Sequence, residues 1–229
     1  MKISILGDSI STFEGCHSND CNVYYTGLTN KYANLTSYHD TWWGIVIDGL
    51  QAELLRNHSY SGSCISALSE GFDFYPDAIS PQRYAKLHYN DEHPDVILVY
   101  MGINDWLNET CIKHQYAPNQ PWHTCFQEAC MYLFEKLKET YPNSKIAVIS
   151  PVLGTIDGYL IPAVNGDGVS LKMFQNILED CAYSKQIKYI DITTSCPYYA
   201  SMDGFHPDVE GMKQLGEAIL KEVRLWLVN

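Results

Sequence analysis

Ser9 closes the run Gly7-Asp8-Ser9, and Asp203 and His206 lie three residues apart in Asp203-Gly204-Phe205-His206-Pro207. Together these residue types can carry out nucleophilic catalysis. A serine hydroxyl is a poor nucleophile at neutral pH and needs an adjacent base. Imidazole suits that role because it ordinarily titrates near about pH 6.5. A carboxylate on the other ring nitrogen fixes the tautomer and steadies the imidazolium that forms. The spacing of Asp203 and His206 lets one turn present both side chains.

The attacked carbonyl becomes an oxyanion, which needs donors aimed at it. The Ser9 amide is one candidate. Gly62, in Asn57-x-x-x-x-Gly62, is a second, since no Cβ keeps a substrate from its amide. Asn104, in Gly102-Ile103-Asn104-Asp105, adds a neutral side-chain NH2. Asp8 and Asp105 are expected to bond nearby backbone amides rather than to move protons. Alone, each of these runs is an ordinary turn or cap; together they carry weight only if the fold gathers them.

The elements that must do the gathering are legible. Lys2–Leu6 is a short β-branched run, apolar on both faces, as in a parallel sheet covered by helices. Further strands are predicted over 53–57, 95–100, 145–150 and 187–192. Helices are predicted over 42–50, capped by Asp40-Thr41, over 126–141, stopped by Pro142, over 169–185, and over 209–228, capped by Asp208. A glycine-rich loop is expected over 154–168.

Strands alternating with helices predict parallel βαβ units with right-handed crossovers. The expected fold is a three-layer α/β/α sandwich, its five-stranded parallel sheet in flavodoxin-like order 2-1-3-4-5, with residues 1–229 as one domain. That order sets strands one and three side by side at the switch point. Ser9 and Asn104 would then meet, Gly62 would flank Ser9, and the loop with Asp203 and His206 would return to the same rim.

Composition narrows the partners. Hydrophobic residues at 46% and charged ones at 18% describe a folded globular chain. A net charge of −12 argues against nucleic acid or an anionic membrane. No apolar run approaches the roughly 18 residues of a membrane span. Met1-Lys2 leads directly into the first strand, so a cytoplasmic location with reduced cysteines is expected. Cys111-x-x-His114 and His123-x-Cys125 are irregularly spaced for zinc, and the proposed chemistry calls for neither metal nor cofactor.

The compositional oddity is aromatic, with 17 tyrosines and 5 tryptophans. The segment from Ile10 to Asp40 is Tyr-rich and weakly periodic, a long irregular connection. Tyr24 and Tyr25 within it, and Trp106 beyond, are candidate substrate-binding residues, since aromatic faces pack on sugars. Equally, such aromatics close local cores or form a contact between copies, which leaves a homo-oligomer open. Of the adjacent Trp42 and Trp43, one is expected in the core and the other at the rim or in solvent.

In order and placement the runs Gly7-Asp8-Ser9, Asn57-x-x-x-x-Gly62, Gly102-x-Asn104-Asp105 and Asp203-x-x-His206-Pro207 resemble the blocks of the SGNH (GDSL-type) hydrolases. The resemblance extends from residue 7 to residue 207, with Ile10 where the family usually has leucine. It implies a serine esterase acting through an acyl-serine intermediate, with a small-molecule ester as partner. Short acyl, chiefly acetyl, esters of carbohydrates or other small molecules are the expected substrates. The alternatives are a thioesterase or lysophospholipase-like acyl hydrolase, or a non-catalytic carbohydrate-binding protein on the same scaffold.

Overall fold

A computed structural model describes residues 1–17, 21–68 and 74–228. In chain order the elements are β1 (Lys2–Gly7), α1 (Gly27–Ala33), α2 (Trp42–Leu50), β2 (Glu53–Asn57), α3 (Pro81–Tyr84), β3 (Val96–Tyr100), α4 (Ile103–Leu107) and α5 (Phe126–Thr140). They continue with β4 (Lys145–Ile149), β5 (Leu153–Ile156), β6 (Tyr159–Leu160), α6 (Leu171–Ser184), β7 (Lys188–Ile190), β8 (Tyr198–Ser201) and α7 (Val209–Val228).

The main sheet runs β2-β1-β3-β4-β7, with every neighbouring pair parallel. This is the predicted five-stranded order. All five residues of β3 are buried, because helices cover both faces of the sheet. Helices α2 and α7 pack on each other, as do α5 and α6. At the entrance to α2 the Thr41 hydroxyl accepts from the Gly44 amide at 3.0 Å, occupying a donor that the first helical turn leaves orphaned. Among the described residues no helix is long and apolar enough to cross a membrane.

Three expectations need correction. The Tyr-rich connection is not irregular throughout: it contains α1 and 3-10 turns over Ser9–Ser11 and Tyr38–Asp40. The predicted glycine-rich loop instead begins with the hairpin β5–β6, whose tip places Asp157 and Gly158 at φ 50° and 81°. Its β5 pairs in parallel with β8 to form a second sheet, ordered β6-β5-β8. Strands of two to four residues carry too little alternation to register in sequence. Finally, Trp42 and Trp43 are both fully buried. Helix α2 is enclosed on more than one side, by α7 and by the 3-10 turn whose Tyr38 ring stacks on Trp43. Both indoles donate to Ser11, Trp42 to its hydroxyl at 3.1 Å and Trp43 to its carbonyl at 2.9 Å.

Candidate active site

Ser9 opens the 3-10 turn that leaves the carboxyl end of β1. Asp8 caps this turn, its carboxylate accepting from the Ile10 amide at 3.0 Å. Burial pushes the Asp8 carboxyl up to about 7, against the pull of that amide and of nearby His206 and Arg83. Arg83 is itself fully buried. It donates to the Gly7 carbonyl at 2.9 Å, to the His58 carbonyl at 3.2 Å and to the Pro76 carbonyl, so it braces the nucleophile turn from beneath.

The loop after β8 returns to the same rim. His206 Nε2 lies 2.9 Å from Ser9 Oγ, and its Nδ1 lies 2.7 Å from Asp203 Oδ2. An ionised carboxylate only accepts, so Nδ1 carries the proton and Nε2 is left to receive one from the serine. The second Asp203 oxygen accepts from the amides of Phe205 and His206 at 2.9 and 2.7 Å. Burial raises the Asp203 carboxyl, but the hydrogen bonds and charge of His206 outweigh it and hold the group at about 2.

The second sheet keeps this loop in place. The Gly154 amide donates to the Gly204 carbonyl at 2.8 Å, and Ser201 Oγ links the Gly204 amide to the Thr155 carbonyl. The Tyr199 hydroxyl donates to the Phe205 carbonyl at 2.6 Å. From the far side the Tyr25 hydroxyl donates to the Pro207 carbonyl at 2.8 Å.

Register explains the remaining approach. Gly7 pairs with Tyr100 across β1 and β3, so Asn104, at the start of α4, leaves the sheet beside Ser9. The Tyr60 amide donates to the Gly7 carbonyl, which draws the turn at Gly62 to the other side. Gly62 has φ 85°, a backbone conformation that L side chains seldom adopt. The Asn104 side-chain NH2 donates to the Ser63 carbonyl at 2.9 Å, joining the two candidate donor segments and leaving its second hydrogen for another acceptor. Neither the Ser9 nor the Gly62 amide has an acceptor among the described residues. Asp105 is buried and accepts from the Ile65 and Ser66 amides and from the Ser66 hydroxyl; burial, opposed by those bonds, raises it to about 6.

The expected substrate contacts fare differently. Tyr25 is fully buried with its hydroxyl engaged, and Trp106 is 2% exposed with its indole donating to the Val169 carbonyl at 2.9 Å. Both are therefore framework residues, since neither ring is open to a ligand. Tyr24 instead lies flat on the His206 ring. It also lines an open depression with Leu28, Thr29, Tyr32, Met202 and Asp203. Sequence reasoning missed Arg83, Thr12 and Tyr199. Their roles are bonds to carbonyls and amides far away in sequence, for which no local pattern exists. Among the described residues no group of three or more His, Cys, Asp or Glu side chains is arranged to hold a metal.

A flavodoxin-like parallel sheet of this order, bearing a serine at the end of its first strand, has the SGNH hydrolase fold. The model of the GDSL-like lipase/acylhydrolase family matches residues 1–154, and the chain belongs to that family. Ser9, Gly62 and Asn104 fall inside the matched stretch, while Asp203 and His206 lie beyond it. Two solved structures described as GDSL-like lipases align over nearly the whole chain. That from Bacteroides ovatus is 24% identical, with a TM-score of 0.73 and 98% of each chain covered. That from Bacteroides uniformis is 28% identical, with a TM-score of 0.71, covering 98% of this chain and 95% of that one. Est24, a carbohydrate acetylesterase from Sinorhizobium meliloti, shares the fold at 16% identity and a TM-score of 0.64, with 98% of each chain covered. No curated protein sequence matches the chain.

Proposed function

We propose that this protein is a serine esterase that cleaves short acyl, chiefly acetyl, esters of carbohydrates or other small polar molecules. The observation that carries the reading is the continuous chain Ser9 Oγ to His206 Nε2 to His206 Nδ1 to Asp203, with links of 2.9 and 2.7 Å. A non-catalytic binding protein has no need of that alignment.

In the proposed reaction His206 takes the Ser9 proton as Ser9 Oγ bonds to the ester carbon. The carbonyl electron pair moves onto oxygen, toward the Ser9 and Gly62 amides and the free hydrogen of Asn104. Collapse of this adduct breaks the bond to the alcohol, which leaves with the proton from His206. Water, deprotonated by His206, then attacks the acyl carbon; the bond to Ser9 Oγ breaks, Ser9 takes the proton back from His206, and the carboxylic acid is released. Asp203, kept ionised, holds the tautomer and offsets the imidazolium charge. The acetyl preference draws support from Tyr24 and Tyr32 in the open depression beside Asp203 and from a fold shared with Est24, which is named a carbohydrate acetylesterase.

The test is hydrolysis of p-nitrophenyl acetate by the wild type and by Ser9→Ala. The wild type should turn over, and Ser9→Ala should lose at least about 1000-fold in kcat at an unchanged melting temperature. Ester cleavage that survives this substitution would overturn the reading. An ester panel varying acyl length and alcohol then tests the substrate class.

A further inference from the structure

The Tyr24 and His206 rings are stacked with centroids 3.6 Å apart and planes 9° from parallel. Two neutral aromatic rings prefer an offset or edge-on arrangement to one this nearly superposed. A cation over a π face is attracted to it, and the attraction grows when water is excluded. Ser9 and its turn are buried, and the Tyr24 ring lies flat against one face of the imidazole.

The placement of Tyr24 is built into the backbone. Its amide donates to Thr12 Oγ1 at 3.0 Å, and that hydroxyl donates to the Ser9 carbonyl at 2.8 Å. The next residue, Tyr25, holds the Pro207 carbonyl and meets the Tyr24 ring edge-on at 5.1 Å. One short segment therefore grips the nucleophile turn at one end and the base loop at the other.

From this geometry we infer that Tyr24 is a positioning residue for the base, whose ring stabilises the imidazolium of His206 more than the neutral imidazole. The inference rests on the esterase reading, in which His206 becomes imidazolium in both the acylation and deacylation transition states. A contact that strengthens only when that charge forms lowers the barrier instead of tightening substrate binding. The phenol also faces Asp203: burial, then the carboxylate's charge and hydrogen bond, push it up to about 12, so it stays neutral. The titratable and charged groups that face the ring are Asp203 on its own loop, Asp8 at the cap of the nucleophile turn, and Tyr24 from the opposing segment.

The experiment measures p-nitrophenyl acetate hydrolysis from pH 5 to 9 for the wild type, Tyr24→Phe and Tyr24→Leu. It also follows the His206 ring by NMR titration in each protein. Asp8 titrates in the same range but is common to all three, so differences between them report on position 24. Tyr24→Phe should keep kcat within about threefold. Tyr24→Leu should lose a few-fold to about 30-fold in kcat with KM little changed. Removing the stack disfavours the protonated ring, so its acid limb and its NMR midpoint should both move to lower pH. If Tyr24→Leu fails to fold, pentafluorophenylalanine at position 24 keeps the shape and reverses the ring's electrostatics. Its kcat should then fall below that of Tyr24→Phe.

Equal kcat in the flat-ring variants, a loss confined to KM, or an unmoved NMR midpoint would each overturn the inference. The NMR readout does not require turnover. Failure of the esterase reading, seen as hydrolysis independent of Ser9, is thus distinguishable from failure of the stack.

Discussion

Asp203 is the residue at which a one-atom change is most informative. Its Oδ1 accepts from two amides, a role an asparagine carbonyl can keep, while its Oδ2 meets His206 Nδ1, where an NH2 would act as donor. Asp203→Asn should therefore fold but favour the tautomer protonated at Nε2, which cannot accept the serine proton. A loss of roughly 1000- to 10,000-fold in kcat is expected on p-nitrophenyl acetate. The sign of the acid response follows from the same group. Its folded value, about 2, lies below its ordinary value of 3.8. The stabilisation it contributes is complete above about pH 4 and is lost as pH falls toward 2. Ser9, His206 and Asp203 were legible because the chemistry dictates their types and their neighbours dictate a turn. Tyr24 was legible as a site residue, but its stacking on His206 was not. Nothing in a tyrosine's local sequence says whether a sugar or a distant imidazole will cover its face.

The base loop takes its position from elements that sequence reasoning only half resolved. Helix α7 and its Asp208 cap were legible, because a cap followed by a long amphipathic run is a strong local signal. The short strands β5, β6 and β8 were not, although β5 holds Gly204 directly and, through the Ser201 hydroxyl at the end of β8, a second time. The close approach of α7 to β8 gives a test at this scale. A Cβ at Gly211 would lie 1.9 Å from the Ala200 carbonyl oxygen, so Gly211→Ala must move helix and strand apart. The substitution should cost about 1–3 kcal/mol of stability. It should also lower kcat at least tenfold, because β8 leads directly into Asp203 and His206. Gly27→Ala, where an added methyl meets nothing, should leave the melting temperature and kcat of the wild type intact and serves as the control.

Over the whole molecule, acidic character is distributed unevenly between surface and interior. Among the described residues most acidic side chains are exposed, but Asp8 and Asp105 are buried with carboxyls raised to about 7 and about 6. A raised carboxyl contributes stability that is complete below about pH 4 and is lost as pH rises through its folded value, an effect on the order of a few kcal/mol for a buried group. Melting temperature should accordingly decline between pH 5 and 8. Asp8→Asn, which keeps a carbonyl for the Ile10 amide, should flatten that decline; an equal fall in both proteins would remove Asp8 as its cause. The parallel order of the main sheet was legible at this scale because alternating strands and helices admit few topologies. The raised values of the two buried carboxyls were not, since burial is a property of the assembled fold. That assembly gives one oxygen an outsized part. Thr12 Oγ1 donates to the nucleophile's carbonyl and accepts from the amide of the residue stacked on the base. A single hydroxyl thus ties the backbone that presents the attacking oxygen to the backbone of the ring lying against the proton acceptor, so one side chain sets the spacing of two segments that are not otherwise neighbours in sequence.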